Sequence, residues 1–241
     1  MANFPDYAEF VQEFLNAGYT CRVMHSGALP PNNVLFLRHD IDFDVEYALQ
    51  MAKIEASLGV VSTYFFMLTS DSYTLLSAGN IKRVREIAQL GHKISLHFDP
   101  MVYTSFHEGL LHEVAMFQQF LGYNVDIISI HHPNDYFLSH NDDIHGISHT
   151  YQQKFVKDVF YCSDSRGGWR FGDPRQSKAF AEQQTIHMLI HPIWWIRPEN
   201  DPQSQLDGYV FDRIHRMLYH IEDNCKSYEA HLSIHFSYQK A

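Results

Sequence analysis

The feature that most constrains this 241-residue chain is a repeated alternation of strand-like and helix-like segments. Apolar stretches rich in β-branched and aromatic residues are followed by segments whose apolar residues recur at helical spacing, several of them closed by glycine. This alternation predicts parallel β-α units packed into one α/β architecture. The predicted strands cover residues 34–42, 60–68, 92–98, 125–133, 159–165 and 185–195, and the predicted helices cover 5–17, 44–58, 81–91, 106–121 and 209–224, with a long polar loop at 134–150.

Length and composition fit a single globular domain. Hydrophobic residues make up 45% of the chain and charged residues 19%, which is typical of a folded protein with one substantial core. Neither an internal repeat nor a linker interrupts the pattern, so we predict one domain over residues 1–241. The net charge of −10 argues against a basic nucleic-acid surface.

The chain shows no sign of export or of membrane insertion. Its first ten residues carry neither the basic region nor the apolar core of a signal peptide, and no run approaches the roughly 18 apolar residues of a membrane span. Three widely spaced cysteines form neither a disulfide framework nor a zinc motif. These features predict a cytoplasmic protein without a membrane span.

Aspartate and histidine side chains recur where the predicted strands end. In parallel α/β folds the active site lies at the edge where the carboxyl ends of the strands meet. Polar residues delivered there by four separate strands therefore predict a shared site. These residues are Asp40 and Asp42, His97 and Asp99, His131 and His132, and His187 and His191.

The first pair of carboxylates indicates a cation. Asp40 and Asp42 are two residues apart on a strand, so their side chains point the same way. Two neighbouring carboxylates repel, and the pKa of one rises unless a cation lies nearby. A metal on Asp42 would leave Asp40 ionised and able to act as a base. The alternative is that Asp42 or Asp44 only caps the following helix.

The histidines complete a possible hydrolytic centre. Any one of them alone is more simply a residue bonded to the backbone. Two histidines with one carboxylate leave positions open for water and for a substrate oxygen, as in catalytic zinc sites. Because neighbours on a strand face opposite ways, only one of His131 and His132 is expected to reach this site. Zinc suits such ligands, with Fe²⁺, Mn²⁺ and Co²⁺ as alternatives.

Two segments together resemble the polysaccharide deacetylase family (carbohydrate esterase family four), which removes acetyl groups from N-acetylated sugars. They are LRHDID at 37–42 and GHKISLHFD at 91–99, and the resemblance extends over roughly residues 34–195. The Arg-His-Asp-x-Asp opening is typical of a divergent branch. The resemblance implies a distorted (β/α) barrel of about seven parallel strands. It also implies that Asp40 is the base and that Asp42 and His97 bind the metal.

The chain departs from the family pattern at one ligand. The family commonly places a second metal histidine where this chain has Met101. The segment SIHHP at 129–133 resembles a stretch of the divergent branch, which implies His131 as the third ligand and His132 as the alternative. The segment LIHPIWW at 189–195 resembles the late family motif, which implies that His191 is the general acid.

A further segment, DSRGGWR at 164–170, is similar to the family motif that places an aspartate and a tryptophan beside the site. The resemblance implies that Asp164 orients His191 and that Trp169 walls the sugar pocket. An arginine is expected to pair with Asp40. The candidates for that role are Arg38, Arg166 and Arg170.

The function implied is a metal-dependent hydrolase that removes an acetyl group from an N-acetylated sugar or glycan precursor in cell-surface glycan biosynthesis, with one divalent metal, zinc first. Two alternatives remain open. One is another metal-dependent C–N hydrolase on the same fold, which removes a formyl group or opens a cyclic amide. The other is a non-catalytic carbohydrate-binding protein that has lost its metal, for which Met101 is the main support.

Overall fold

The computed structural model describes residues 4–30 and 32–228 of the chain. Contacts between residues divide the chain into two compact units, Met1–Pro198 and Glu199–Ala241. The first unit contains the β-sheet with its helices, and the described part of the second contains one long helix. The expectation of one domain over residues 1–241 stays a prediction.

Strands and helices alternate through the first unit. The strands are β1 (Thr20–Cys21), β2 (Val34–Ile41), β3 (Thr63–Phe66), β4 (Lys93–Phe98), β5 (Ile127–Ile130), β6 (Ser148–His149), β7 (Phe160–Ser163) and β8 (Ile186–Ile190). The helices are α1 (Tyr7–Asn16), α2 (Val45–Ser57), α3 (Ala78–Gln89), α4 (Phe106–Leu121), α5 (Asp135–Ser139), α6 (Gln153–Val156), α7 (Lys178–Ala181) and α8 (Ile193–Ile196).

The strands form one parallel sheet in the order β6-β5-β4-β3-β2-β8-β7, with β1 paired to the start of β2. The seven strands of this path curl into a half-barrel with helices, so the expected distorted (β/α) barrel is confirmed. Every residue of β2 is buried, as expected of a parallel strand covered on both faces. β2 pairs with β3 on one side and with β8 on the other.

The inner face of β2 changes character along the strand. Val34 and Phe36 at its start belong to an apolar cluster inside the curled sheet, with Phe65 of β3 and Ile127 of β5. Alternation places Arg38 and Asp40 on the same face, two and four residues beyond Phe36. The interior is therefore apolar where β2 begins and charged where it ends, which positions a polar site at the carboxyl edge.

The outer face of the sheet is covered by α2, α3 and α4. Their apolar sides pack on residues such as Phe66 and Leu96, and each fully buried side chain of this size contributes about 1.5–3 kcal/mol. Asp44 caps α2, because its side chain accepts a hydrogen bond from the backbone N–H of Glu46 at 2.9 Å. The capping alternative therefore applies to Asp44, and Asp42 is available for the site.

Three differences from the predicted segments bear on the site. The predicted loop 134–150 contains α5 and β6. The predicted strand 125–133 ends at Ile130, so both following histidines lie beyond β5. The predicted strand 185–195 ends at Ile190, because Pro192 has no N–H for a sheet and α8 follows it. Trp194 and Trp195 therefore stand on a helical turn.

The second unit contains α9 (Pro202–Asn224), which begins earlier than the predicted helix 209–224. The side chain of Asp201 accepts a hydrogen bond from the backbone N–H of Ser204 at 3.0 Å, and Pro202 occupies the first helical position. Within the described parts of the chain, no helix has the length and apolar character needed to cross a membrane.

Candidate metal centre and active-site cavity

An ion pair at the end of β2 holds the predicted base. Arg38 donates from Nε and Nη2 to the two carboxylate oxygens of Asp40, at 2.9 and 2.6 Å, and both side chains are buried. Ser129 on β5 accepts from Arg38 at 2.6 Å and donates to Asp40 at 2.8 Å. Of the three candidate arginines, the structure therefore places Arg38 against Asp40.

This pairing decides the charge of Asp40. Burial by itself would raise the pKa of Asp40, but the charge and hydrogen bonds of Arg38, with a contribution from His97, hold it well below its usual range. Asp40 is therefore ionised at every physiological pH. Its two oxygens are fixed in position, and its intrinsic basicity is low.

Three side chains bring metal-ligand atoms together at the carboxyl edge. Asp42 follows β2, His97 lies in β4 and His131 follows β5; we call them the metal trio. His97 Nε2 lies 3.2 Å from Asp42 Oδ1 and 3.3 Å from His131 Nδ1, and the third side of the triangle is 3.8 Å. Over residues 4–30 and 32–228 this is the one group of three or more such residues.

The dimensions of the metal trio fit a tetrahedral cation. Ligands that lie about 2.0–2.1 Å from a zinc ion in tetrahedral geometry are about 3.3 Å from one another. The observed separations of 3.2, 3.3 and 3.8 Å are close to this value. Two imidazoles and a carboxylate are also a donor set that zinc accepts. The residues present therefore fit a divalent metal.

The protonation of the two histidines in the metal trio differs. Burial and the nearby His97 lower the pKa of His131, so its ring is neutral and has a lone pair available. Burial would lower the pKa of His97 as well, but the carboxylates of Asp40 and Asp42 raise it. Metal binding requires neutral imidazole, so binding at the metal trio is coupled to proton release from His97.

The predicted general acid lies beside the metal trio. His191 follows β8, and its Nε2 is 3.7 Å from Asp42 Oδ2. Its Nδ1 is 2.6 Å from Asp164 Oδ1, and its backbone N–H also donates to Asp164. Trp195 donates to the other oxygen of Asp164 at 2.9 Å. Asp164 therefore fixes the ring so that Nε2 faces the site.

Asp164 also sets the charge of His191. Burial would lower the pKa of His191, but the charge and hydrogen bond of Asp164 outweigh burial and raise the pKa to about 9. His191 is thus an imidazolium at neutral pH, with a proton on the nitrogen that faces the metal trio.

A cavity of about 310 Å³ opens above these groups, within the range of about 300–1,000 Å³ typical of small-molecule sites. We call it the site cavity. Its wall contains the metal trio, Asp40 and His191. Other lining residues are Phe43, Tyr151, Arg166 and Trp194.

The structure also places the other two histidines that the sequence predicts at this edge. His132 lines the site cavity and stacks on His131 with ring centroids 4.0 Å apart, but it is not among the metal trio. Its φ of 48° turns the chain after β5. His187 lies inside the curled sheet instead of at its edge, donating from Nδ1 to the carbonyl of Phe155 at 2.9 Å, and burial lowers its pKa to about 3.

Two expectations for residues 164–170 need correction. Trp169 does not line the site cavity: it packs between α1 and α8, with its ring 5.7 Å from Phe10 and 6.0 Å from Trp195. The turn that follows Asp164 carries it there. Arg170 lies over the ring of Phe171 at 5.3 Å and not against Asp40. Trp194 supplies the aromatic wall instead.

Sequence reasoning missed two residues that support the ion pair of β2. Ser129 bridges Arg38 and Asp40, and Tyr151 places its ring 5.0 Å from the guanidinium of Arg38. Ser129 belongs to the SIHHP segment, which resembles the family, so its place in that segment was a sequence signal for a role at the site. Tyr151 lies outside every matched segment and had no comparable signal.

The outer face of β2 carries a second buried network, which sequence reasoning also missed. Glu55 of α2 lies 2.7 Å from His39 Nε2 and accepts hydrogen bonds from Tyr7 and Tyr64 at 2.6 and 2.7 Å. Ser62 donates a fourth at 2.6 Å. Burial would raise the pKa of Glu55, but the charge and hydrogen bond of His39, with contributions from His92 and Ser62, lower it to about 2, so the carboxylate stays ionised.

Solved structures match this chain at low sequence identity. No family model and no curated protein matches the chain. A CE4 family pseudoenzyme from Bacillus anthracis matches 81% of this chain and 65% of its own, with 12% identity and a TM-score of 0.37. A peptidoglycan deacetylase from Bdellovibrio bacteriovorus matches 83% of this chain and 53% of its own, with 14% identity and a TM-score of 0.41.

A family 4 carbohydrate esterase from Bacillus anthracis matches 90% of both chains, with 11% identity and a TM-score of 0.39. The chain thus spans 65% and 53% of the length of the first two structures. The three neighbours include enzymes and a pseudoenzyme, and a shared fold does not by itself imply an activity.

Proposed function

We propose that this chain is a metal-dependent hydrolase that removes an acetyl group from an N-acetylated sugar in cell-surface glycan biosynthesis. The observation that carries the proposal is the triangle formed by Asp42 Oδ1, His97 Nε2 and His131 Nδ1, whose sides of 3.2, 3.3 and 3.8 Å suit a tetrahedral cation. An ionised carboxylate and an imidazolium flank this triangle in the same cavity, which supports hydrolysis over storage of a metal.

The metal trio would hold one divalent cation, zinc first, and that cation would polarise the acyl oxygen and lower the pKa of a water molecule. Fe²⁺, Mn²⁺ and Co²⁺ suit the same ligands. All three ligands come from the carboxyl ends of strands in one sheet, β4 and β5 side by side and β2 beyond the intervening β3, so the sheet itself sets their separation. The site is therefore organised before any substrate enters.

Asp40 acts as the proton acceptor for the attacking water. It is ionised, it lines the site cavity, and Arg38 and Ser129 prevent its carboxylate from rotating. Because Arg38 holds its pKa low, Asp40 works by orientation and by charge more than by high basicity. Arg38 remains charged throughout, so it also offsets the negative charge of the buried Asp40.

His191 delivers a proton to the leaving amine. Asp164 accepts a hydrogen bond from Nδ1 of His191 at 2.6 Å, so the proton that His191 presents to the cavity is on Nε2. A pKa of about 9 keeps His191 protonated at neutral pH, which is the state that a general acid needs. Asp164 is a positioning residue in this scheme.

The wall of the site cavity suits a sugar ring. Phe43 and Trp194 both line it, with ring centroids 6.3 Å apart and ring planes at 66°. Aromatic faces of this kind pack against the apolar faces of sugars, while the charged groups opposite can bind hydroxyl and acyl oxygens. This supports an acylated sugar over a peptide substrate.

The main support for the non-catalytic alternative is Met101, and the structure shows where that residue lies. Met101, at the position where the resembled family commonly has a histidine, lies in a short 3-10 turn and is 72% exposed. It contributes nothing to the metal trio. His131 occupies the third ligand position instead, so the substitution at Met101 leaves a three-ligand site intact.

Metal analysis of the purified protein tests the proposal. Wild type is expected to bind about one zinc per chain. His97→Ala and His131→Ala are expected to lose it, and His132→Ala, the matched control, is expected to keep it. Acetate release from N-acetylated sugars should follow the same pattern, whereas formate release from N-formylated sugars without acetate release would favour the other C–N hydrolase. Absence of metal from wild type after zinc loading would refute the hydrolase and support the carbohydrate-binding protein.

A further inference from the structure

Arg166 stands out among the charged residues of the site cavity. It lines the cavity, it is exposed, and among the residues that the structure describes its guanidinium has neither a hydrogen-bond nor an ion-pair partner. The other arginine at this edge, Arg38, is buried and committed to Asp40. An unpaired guanidinium at the opening of a cavity is a binding group for an oxyanion.

The acidic side chains deeper in the site cavity do not neutralise the positive charge of Arg166. Arg38 offsets Asp40, and Asp164 offsets the imidazolium of His191. Asp42 belongs to the metal trio. Arg166 is therefore the positive charge at the cavity that no described acidic side chain neutralises. The chain as a whole carries a net charge of −10, so this opening is a place where an anion is attracted instead of repelled.

The backbone fixes the position of Arg166. The carbonyl of the buried Asp164 accepts hydrogen bonds from Gly167 at 2.9 Å and Gly168 at 3.3 Å, which closes a tight turn around Arg166. Arg166 itself has a φ of 80°, in the left-handed region that favours glycine. A residue other than glycine in this conformation is strained, and strained residues cluster at binding sites, which favours a role for Arg166 at the cavity.

We propose that Arg166 binds an anionic group of the substrate, so that the site acts on N-acylated amino sugars that carry a phosphate or a carboxylate. This inference rests on the proposed function for the acyl group and on Arg166 for the anion. A guanidinium donates two parallel hydrogen bonds to either kind of oxyanion. Arg166 is thus a specificity-determining residue that contacts substrate away from the reacting carbonyl.

Binding measurements on the purified protein test this inference without requiring turnover. The probes are N-acetylglucosamine 1-phosphate, N-acetylmuramic acid and neutral N-acetylglucosamine, titrated by calorimetry. The variants are Arg166→Gly, whose residue suits the φ of 80°, and Arg170→Gln, a matched control whose guanidinium lies over Phe171 outside the cavity. Thermal melting is expected to show both variants folded.

Wild type is expected to bind at least one anionic probe on the order of ten-fold more tightly than the neutral sugar, and added salt should reduce this preference. Arg166→Gly should abolish the preference and Arg170→Gln should retain it. The anionic probe that binds more tightly identifies phosphate or carboxylate as the source. Equal or absent binding of the probes by wild type, or a preference that survives in Arg166→Gly, overturns the inference.

Acetate release from the same probes separates this inference from the proposed function. An Arg166-dependent preference without acetate release in the zinc-loaded protein means that the proposed reaction is wrong and that the anion site is real. Equal release from neutral and anionic probes, unchanged in Arg166→Gly, means that the hydrolase is real and that the role of Arg166 is wrong.

Discussion

Replacement of Asp164 by asparagine is expected to change the pH dependence of both stability and activity. Asp164 holds the imidazolium of His191 at 2.6 Å and, with smaller contributions from Asp42 and Asp40, raises its pKa from 6.5 to about 9. A shift of about 2.5 units corresponds to about 3 kcal/mol of stabilisation, at 1.36 kcal/mol for each unit. Asparagine keeps the shape of the side chain and removes the charge.

The direction of the effect follows from proton binding. The folded protein binds the proton of His191 more tightly than the unfolded chain does, so this stabilisation is complete below pH 6.5 and is lost as pH rises to about 9. Asp164→Asn should therefore lower the free energy of unfolding by up to about 3 kcal/mol at pH 6 and by much less above pH 9.

Urea unfolding of the metal-free protein at several pH values measures this difference directly. The NMR titration of His191 should show its pKa falling toward 6.5 in Asp164→Asn. In a His191→Gln background, the same substitution should have a cost that does not vary with pH. A pKa of His191 that is unchanged in Asp164→Asn, or a destabilisation equal at pH 6 and above pH 9, would refute the reasoning.

Three further predictions concern other buried groups. Arg38→Met leaves Asp40 as an uncompensated buried charge and should lower the free energy of unfolding by about 3–5 kcal/mol in urea titrations, with part of the loss recovered when Asp40→Leu is added. Burial raises the pKa of Glu113 to about 7, so its ionisation opposes folding as pH rises from 4.5 to 7; Glu113→Gln should stabilise by up to about 3 kcal/mol at pH 8 and not at pH 4. Zinc at 100 times its dissociation constant should stabilise wild type by about 2.7 kcal/mol in thermal melts and leave His97→Ala unchanged.

The strands and the edge that carries the site could be predicted because their signals are local. The run VLFLRHDID changes from apolar to charged within nine residues, and the structure places that change inside β2 and just beyond it. Asp42 and His97 also lie at strand ends in segments that resemble a known family. For these residues, strand direction alone decides where the side chains meet.

Other parts of the site depend on backbone geometry that the sequence pattern does not reveal. The choice between His131 and His132 depends on the end of β5 at Ile130 and on the φ of 48° at His132. Trp169 was expected in the cavity, but the turn after Asp164 carries its ring away toward α1, and Trp194 reaches the cavity because α8 replaces the end of a strand. Turns of one or two residues decide each of these outcomes.

The network around Glu55 connects the N-terminal helix α1 to the ion pair at the candidate site. Tyr7, the first residue of α1, donates to the same carboxylate oxygen that lies against His39. His39 lies between Arg38 and Asp40 in β2. Its contact with Glu55 on the outer face therefore also fixes the position of the ion pair on the inner face. A truncation or fusion that displaced Tyr7 would thus shift the carboxylate of Asp40, although α1 contributes no side chain to the wall of the site cavity.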